Sequence, residues 1–190
     1  MSATRELVAD LFISLDGFAT GENTPGYFGM LGPDLEAWIR EHADEPQEIV
    51  MGRRTYEALA AYATSPAGTD ATARRMDELP KIVLSHALRH PLPWTPARVV
   101  AGDLVEVIGD LKRHGGPMLR TIGSISVVRD LVTARLLDRL RLVVFPVVLG
   151  QDGREPAFGD HPRRTMELVD TRVLDGRLLA LEYRPMRPAA

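Results

Sequence analysis

A short apolar run that stops on a glycine and turns at once into two arginines limits how this chain folds more than any other stretch. Ile49-Val50-Met51 reads as a buried strand, Gly52 permits a tight turn, and Arg53-Arg54-Thr55 opens a helix with apolar positions at Tyr56, Leu59 and Ala60. The first backbone N–H groups of a helix have no partner inside it, and the helix dipole makes that end positive. Cations at a helix start are mildly disfavoured, so two in a row need a reason. One reason is a phosphate-bearing ligand, which backbone amides and paired guanidinium groups hold well. The other is plain solvation of the first turn. This stretch alone leaves both open.

The surrounding chain repeats the strand–helix alternation. Leu7 to Ser14 reads as a mostly apolar strand ended by the turn residues Asp16-Gly17. Thr20 to Gly32 carries Gly21, Pro25, Gly26, Gly29 and Gly32 and reads as a long loop, with Tyr27 and Phe28 suiting a cover over a site. Pro33 opens a helix to about Ala43, with Leu35, Trp38, Ile39 and His42 on one face. After the anchor helix come a break at Thr64 to Thr69, a short polar helix at Ala71 to Leu79, and strands at Lys81 to Ser85 and Ala97 to Val100. Asp103 caps an amphipathic helix from Leu104 to His114.

A second strand–glycine–helix junction follows. Met118 to Ile122 is a strand, Gly123-Ser124 turns the chain, and the next helix places Ile125, Val128, Leu131 and Val132 inward. Its free amides suit a second phosphate or the other end of the same ligand. Arg139 to Val148 reads as a long strand. Thr165 to Leu174 and Leu178 to Arg184 alternate about Asp175-Gly176, a hairpin signal. Strand–helix alternation followed by an antiparallel pair predicts a three-layer α/β domain spanning 1–190, its mixed sheet mostly parallel with an antiparallel C-terminal hairpin and helices on both faces.

The 190 residues are 45% hydrophobic and 26% charged with net charge −3, which gives no nucleic-acid footprint. With no cysteine, thiolate catalysis, disulfides and cysteine-bound metals are out, and a cytoplasmic setting is expected. The charged start Met1 to Asp10 is not a signal peptide, and no apolar run approaches the ~20 residues of a membrane span. The chain has no G-x-G-x-x-G, no G-x-x-x-x-G-K-[ST], no G-x-S-x-G and no H-E-x-x-H. His86 and His90 lie four apart among prolines, so no metal site is expected.

The order Ser14-Leu15-Asp16-Gly17, Met51-Gly52-Arg53-Arg54-Thr55-Tyr56, Ile82-Val83-Leu84-Ser85, Ile122-Gly123-Ser124, Leu137-Asp138-Arg139-Leu140-Arg141-Leu142 and Pro146-Val147-Val148-Leu149-Gly150 resembles the dihydrofolate reductase superfamily. The closer match is the branch related to the reductase domain of bifunctional riboflavin-biosynthesis proteins. Each motif alone is weak; six in order over nearly the whole chain are fairly specific. The resemblance implies an NADPH-dependent reductase. It puts Arg53 on the adenosine 2′-phosphate, Arg54 and Thr55 on the pyrophosphate, and Leu84, Ser85 and His86 beside the adenosine. It puts Gly123, Ser124, Ile125, Ser126 and Val127 along the pyrophosphate and nicotinamide, Ala19 in the nicotinamide pocket, and Asp16 near the substrate. It also implies a homodimer, for which the apolar strand ending at Val148-Leu149 would serve.

Two departures from the family pattern matter. Gly123-Ser124 stands where dihydrofolate reductases have Gly-Gly, and Leu35 stands where their substrate-protonating acid is expected relative to Trp38. Asp34 and Glu36 flank that position and are the candidate acids. The expectation is hydride transfer to a pteridine, an aminopyrimidine-like heterocycle or a carbonyl compound, with Thr20 to Gly32 closing the site. The missing acid favours an alternative: a non-catalytic NADPH-binding module of the same fold. A third reading is an α/β domain whose arginines are structural.

Overall fold

The parallel core follows from the apolar runs separated by amphipathic helices, because parallel neighbours need crossovers that cover both sheet faces. A computed structural model describes residues 4–65, 71–159 and 162–186. Its main strands are β1 (Leu7–Ser14), β3 (Gln47–Gly52), β4 (Lys81–Leu84), β5 (Ala97–Val100), β6 (Met118–Ile122), β7 (Arg139–Phe145), β9 (Met166–Leu174) and β10 (Leu178–Pro185). They form one eight-stranded sheet in the order β5-β4-β3-β6-β1-β7-β10-β9. The first six in that order pair in parallel. β10 runs antiparallel to β7 and to β9, with the predicted Asp175-Gly176 turn between β9 and β10.

The helices α1 (Pro33–Ala43), α2 (Arg53–Ala63), α3 (Ala71–Glu78), α4 (Leu104–Arg113) and α5 (Ile125–Thr133) fill the outer layers. Strand side chains alternate between faces, so one strand serves two cores. Leu7, Ala9 and Leu11 of β1 and Val50 of β3 pack with Ile108 of α4 and Val127, Val128 and Leu131 of α5. On the opposite face Leu35, Trp38 and Ile39 of α1 meet Val143 and Phe145, while Tyr56 and Ala60 of α2 meet Ile49, Met51 and Val83. The predicted inward face of α1, including His42, is buried throughout. Part of the predicted break at Thr64 to Thr69 lies outside the described residues.

Two expectations need correction. Thr20 to Gly32 is not one irregular loop: β2 (Phe18–Gly21) pairs antiparallel with β8 (Gly153–Pro156), and Gly26–Gly29 makes a 3-10 turn. These short strands lack a run of alternating residues. Gly153 is required there, since a Cβ would lie 2.6 Å from the Phe18 ring. The strand predicted to reach Val148 stops at Phe145, because Pro146 has no N–H to extend the ladder. It is also interior, between β1 and β10, so it has no free edge for pairing with another chain. Arg141 lies inward on β7. It and Arg120 are buried, bracketing the buried carboxylate of Asp10: Arg120 Nε donates to Oδ2 at 2.6 Å and Arg141 Nε to Oδ1 at 2.8 Å.

Candidate active site

β3 and β6 are parallel neighbours whose chains leave in opposite directions. From β3 the chain crosses through α2 and α3 to β4 on one side; from β6 it crosses through α5 to β7 on the other. Such a switch point opens a crevice at the carboxyl ends of the strands, where α/β sheets bind ligands. The Gly52–Arg53 and Gly123–Ser124 junctions, far apart in sequence, flank it.

Ser124 joins them. Its buried hydroxyl donates to Thr55 Oγ1 at 2.8 Å and accepts from the Gly52 amide at 3.3 Å. Neither α2 nor α5 has a side-chain cap on its first turn. Arg53 and Arg54 are exposed beside those amides, and among the described residues Arg53 makes one ion pair, a 3.8 Å contact with Glu57 on its own helix. Gly123 has φ +66° with open space where a side chain would stand, so the chain turns closely and leaves its backbone accessible. Two helix starts without a side-chain cap, two guanidinium groups and an unobstructed glycine fit an extended phosphate-bearing cofactor. Ser126 is exposed, Ile125 is half-buried, and Val127 is buried in the core, so its side chain serves packing. At the end of neighbouring β4, Leu84 packs against the core and Ser85 Oγ accepts from the Ala87 and Leu88 amides, both at 3.1 Å. His86 is exposed at this edge, and Ala19 is half-buried in β2.

The side facing α1 has a different character. Phe12, Tyr27, Phe28, Trp38 and Phe145 form an aromatic cluster, with Tyr27 edge-on to Phe12 at 5.4 Å and Phe28 against Phe145 at 5.0 Å between centroids. Tyr27 and Phe28 both have φ 51°, a left-handed conformation unusual for bulky residues. The anticipated cover is thus partly wedged into the core.

Two of the three acids here, Asp16 and Asp34, are engaged. Asp16 accepts from Ser14 Oγ at 2.7 Å and from the amides of Leu149 and Gly150, with Gly150 at 2.8 Å. The Ser14 hydroxyl and the Gly150 amide are the main reasons its pKa is lowered to about 2. Asp16 therefore ties the turn after β1 to the turn after β7. Asp34 and Glu36 are exposed on the first turn of α1, away from its inward face. Asp34 accepts from the Asp175 amide at 2.9 Å, and Asp175 in return accepts from the amides of Asp34 and Leu35. Leu35 is fully buried. The cap from Asp175, the aromatic wall and the Asp10 ion cluster escaped the sequence reading. An aspartate inside an apolar strand, with arginines inside two others, was the available signal for the last.

The model of the RibD C-terminal domain family matches residues 5–180. This chain belongs to the RibD C-terminal domain family. Within reach of that family is an uncharacterized protein, YyaP, from Bacillus subtilis (strain 168), 25% identical over 186 residues that cover 94% of each chain. Among solved structures, the diaminohydroxyphosphoribosylaminopyrimidine deaminase/5-amino-6-(5-phosphoribosylamino)uracil reductase of Thermotoga maritima superposes with a TM-score of 0.67 at 14% identity, over 96% of this chain and 57% of that one. The dihydrofolate reductase of Enterococcus faecalis, complexed with NADP(H) and RAB-propyl, superposes at 0.66 with 15% identity, over 97% and 99%. As a RibD C-terminal domain, the chain carries a dihydrofolate reductase-like α/β fold, a reductase fold. Among the described residues no helix is long and apolar enough to cross a membrane, and no cluster of acidic, histidine or cysteine side chains could hold a metal.

Proposed function

We propose that this chain is one reductase domain that uses NADPH to reduce a small heterocyclic or carbonyl substrate in the cytoplasm. The observation that carries the reading is the pair of uncapped helix starts, joined through Ser124 and flanked by exposed Arg53 and Arg54, at the switch point between β3 and β6. Arg53 meets the 2′-phosphate of the adenosine, and the first-turn amides of α2 with Arg54 and Thr55 hold the pyrophosphate. The Gly123 to Val127 segment takes its other side through the amides of Ser126 and Val127, since those of Gly123 and Ile125 are given to the carbonyls of Asp10 and Gly123. Leu84, Ser85 and His86 flank the adenosine, and Ala19 and Gly123 border the nicotinamide. When bound, NADPH supplies a hydride.

The chain's own residues position and shield. Asp16 holds the turns after β1 and β7 together at the mouth, on the substrate side. Tyr27 and Phe28 cover the α1 side and limit water. Asp34 is bound to the hairpin amide and Glu36 is exposed, so water delivers the proton. A homodimer is supported by the edge hairpin of β9 and β10, where Leu168, Val173 and Leu179 are exposed.

Titration with NADPH and NADH by calorimetry tests the reading, with tight binding of NADPH and much weaker binding of NADH expected. Absence of NADPH binding would return the arginines to a structural role. The buried Leu35 between two exposed acids favours a second reading, an NADPH-binding module without turnover. NADPH that binds but is oxidised by no pteridine, aminopyrimidine or carbonyl compound would select it.

A further inference from the structure

Ser124 stands at the cap position of α5, yet it does not cap that helix. A serine there ordinarily accepts from an amide of the first turn, here that of Ser126 or Val127. Its hydroxyl turns instead to the neighbouring start. It accepts from the Gly52 amide at 3.3 Å and donates to Thr55 Oγ1 at 2.8 Å. The two starts are also in close contact, since a Cβ at Gly52 would lie 3.5 Å from Val127 Cγ2. Ser124 is the residue at which the chain departs from the Gly-Gly of dihydrofolate reductases, and a glycine side chain makes neither bond.

The direction of these bonds follows from the groups that make them. A backbone N–H only donates, so the Ser124 oxygen accepts from Gly52. Ser124 is buried, and among the described residues the acceptor for its proton is Thr55 Oγ1. A buried hydroxyl proton left unpaired is costly, so it stays on Thr55. The Thr55 oxygen therefore receives its proton from inside the protein. Its own proton has no acceptor among the described residues, and Thr55 is half-buried in the first turn of α2. The relay from Gly52 through Ser124 makes Thr55 a donor at the junction of the two starts.

Resting on the reductase reading above, we propose that Ser124 is a positioning residue for the cofactor. It gives up its own cap to hold Thr55 as a hydrogen-bond donor to the pyrophosphate, and it leaves the Ser126 and Val127 amides for the same group. An ionised pyrophosphate has no proton to give, so it matches donors and nothing else. Without the Ser124 hydroxyl, the Gly52 amide loses its acceptor and Thr55 loses the bond that orients it. The pyrophosphate is common to NADPH and NADH, whereas the 2′-phosphate assigned to Arg53 belongs to NADPH alone. The signature of Ser124 is thus a loss shared equally by both cofactors.

A double-mutant cycle, read by fluorescence titration with NADPH and with NADH, tests this. Ser124→Ala and Thr55→Val should each weaken both cofactors by about tenfold, the scale of one hydrogen bond to a charged group. The double variant should bind no more weakly than Thr55→Val alone, and Thr55→Ser, which keeps the hydroxyl, should restore the affinity. If Ser124→Ala melts too low to titrate, Ser124→Cys takes its place in the cycle, with similar volume and a weaker donor. Losses that add in the double variant, or no loss on changing Ser124, overturn the proposal. So does a larger loss for NADPH than for NADH, which would mean that the whole start of α2 has moved and taken Arg53 with it. Failure of the wild type to bind NADPH overturns the reductase reading instead.

Discussion

The starts of α1 and α4 and the starts of α2 and α5 meet the same physical problem, unpaired amides in a first turn, in opposite ways. In α4, Asp103 accepts from the amides of Val105 and Glu106 at 2.9 and 3.1 Å. In α1 the cap is brought from across the chain, by Asp175 of the β9–β10 hairpin. In α2 and α5 no side chain does this, and those two starts lie side by side at a switch point with two arginines exposed. A helix start left open once is ordinary; two left open together, and held in register by Ser124, are what the proposed anionic cofactor requires. The difference separates groups that hold the fold together from groups kept available.

The comparison breaks if an open start can be closed without consequence. Gly52 has φ −78° and ψ 165°, an extended cap conformation, and a side chain there would meet only Val127 at 3.5 Å. Gly52→Asp should cap α2 and raise stability by about 0.3 kcal/mol. By setting a carboxylate among the phosphates it should weaken NADPH by about 3 kcal/mol, on the order of a hundredfold. Thermal melts and a cofactor titration on the same sample check both signs.

A helix end closed by a cation sharpens the contrast. Lys81, 1% exposed, donates to the carbonyls of Asp77 at 3.0 Å and Leu79 at 2.9 Å, with its ammonium 4.2 Å from the Trp94 ring. Burial lowers its pKa from 10.5 to about 8. The unfolded chain then holds this proton more tightly than the folded one, so stability should rise as the pH climbs from about 8 to 10.5. The gain is roughly 2–3 kcal/mol at about 1.4 kcal/mol per pKa unit. With only two lysines in the chain the window is nearly clear of other ammonium groups. Denaturant melts across that range should show the rise in the wild type and not in Lys81→Met.

The smallest effect is expected where a start is already closed. Asp103→Ala should lower stability by about 1 kcal/mol and leave NADPH affinity unchanged, read by melting and titration together. A loss of cofactor affinity in that variant would mean that capped and open starts do not differ in function.

Much of this division was legible in the sequence, and the reason is local. Asp103 before an amphipathic run, Pro33 at a first turn, and Gly52 and Gly123 between strand and helix are signals spanning a few residues. The elements they predict form at those places. Contacts made across the chain left no such mark. Asp175 reaches the start of α1 from the far hairpin, Ser124 reaches Thr55 and Gly52 over some 70 positions, and β2 finds β8 only through the fold. The two buried arginines around Asp10 pair across three strands, and no short stretch of sequence marks such a pairing. The two strand–glycine–helix junctions of the proposed site were readable because each is a local signal. The aromatic cluster beside α1 was obscure because it is assembled from side chains of four separate segments.

The central claim is that the open starts of α2 and α5 hold the phosphates of NADPH, with Arg53 on the 2′-phosphate. Fluorescence titration of the wild type and of Arg53→Ala with NADPH and with NADH measures it directly. The account predicts a loss of about 1.5–3 kcal/mol for NADPH, the range for a hydrogen bond to a charged group, with NADH nearly unchanged and the melting temperature held. Equal losses for both cofactors, or no loss for either, would contradict it.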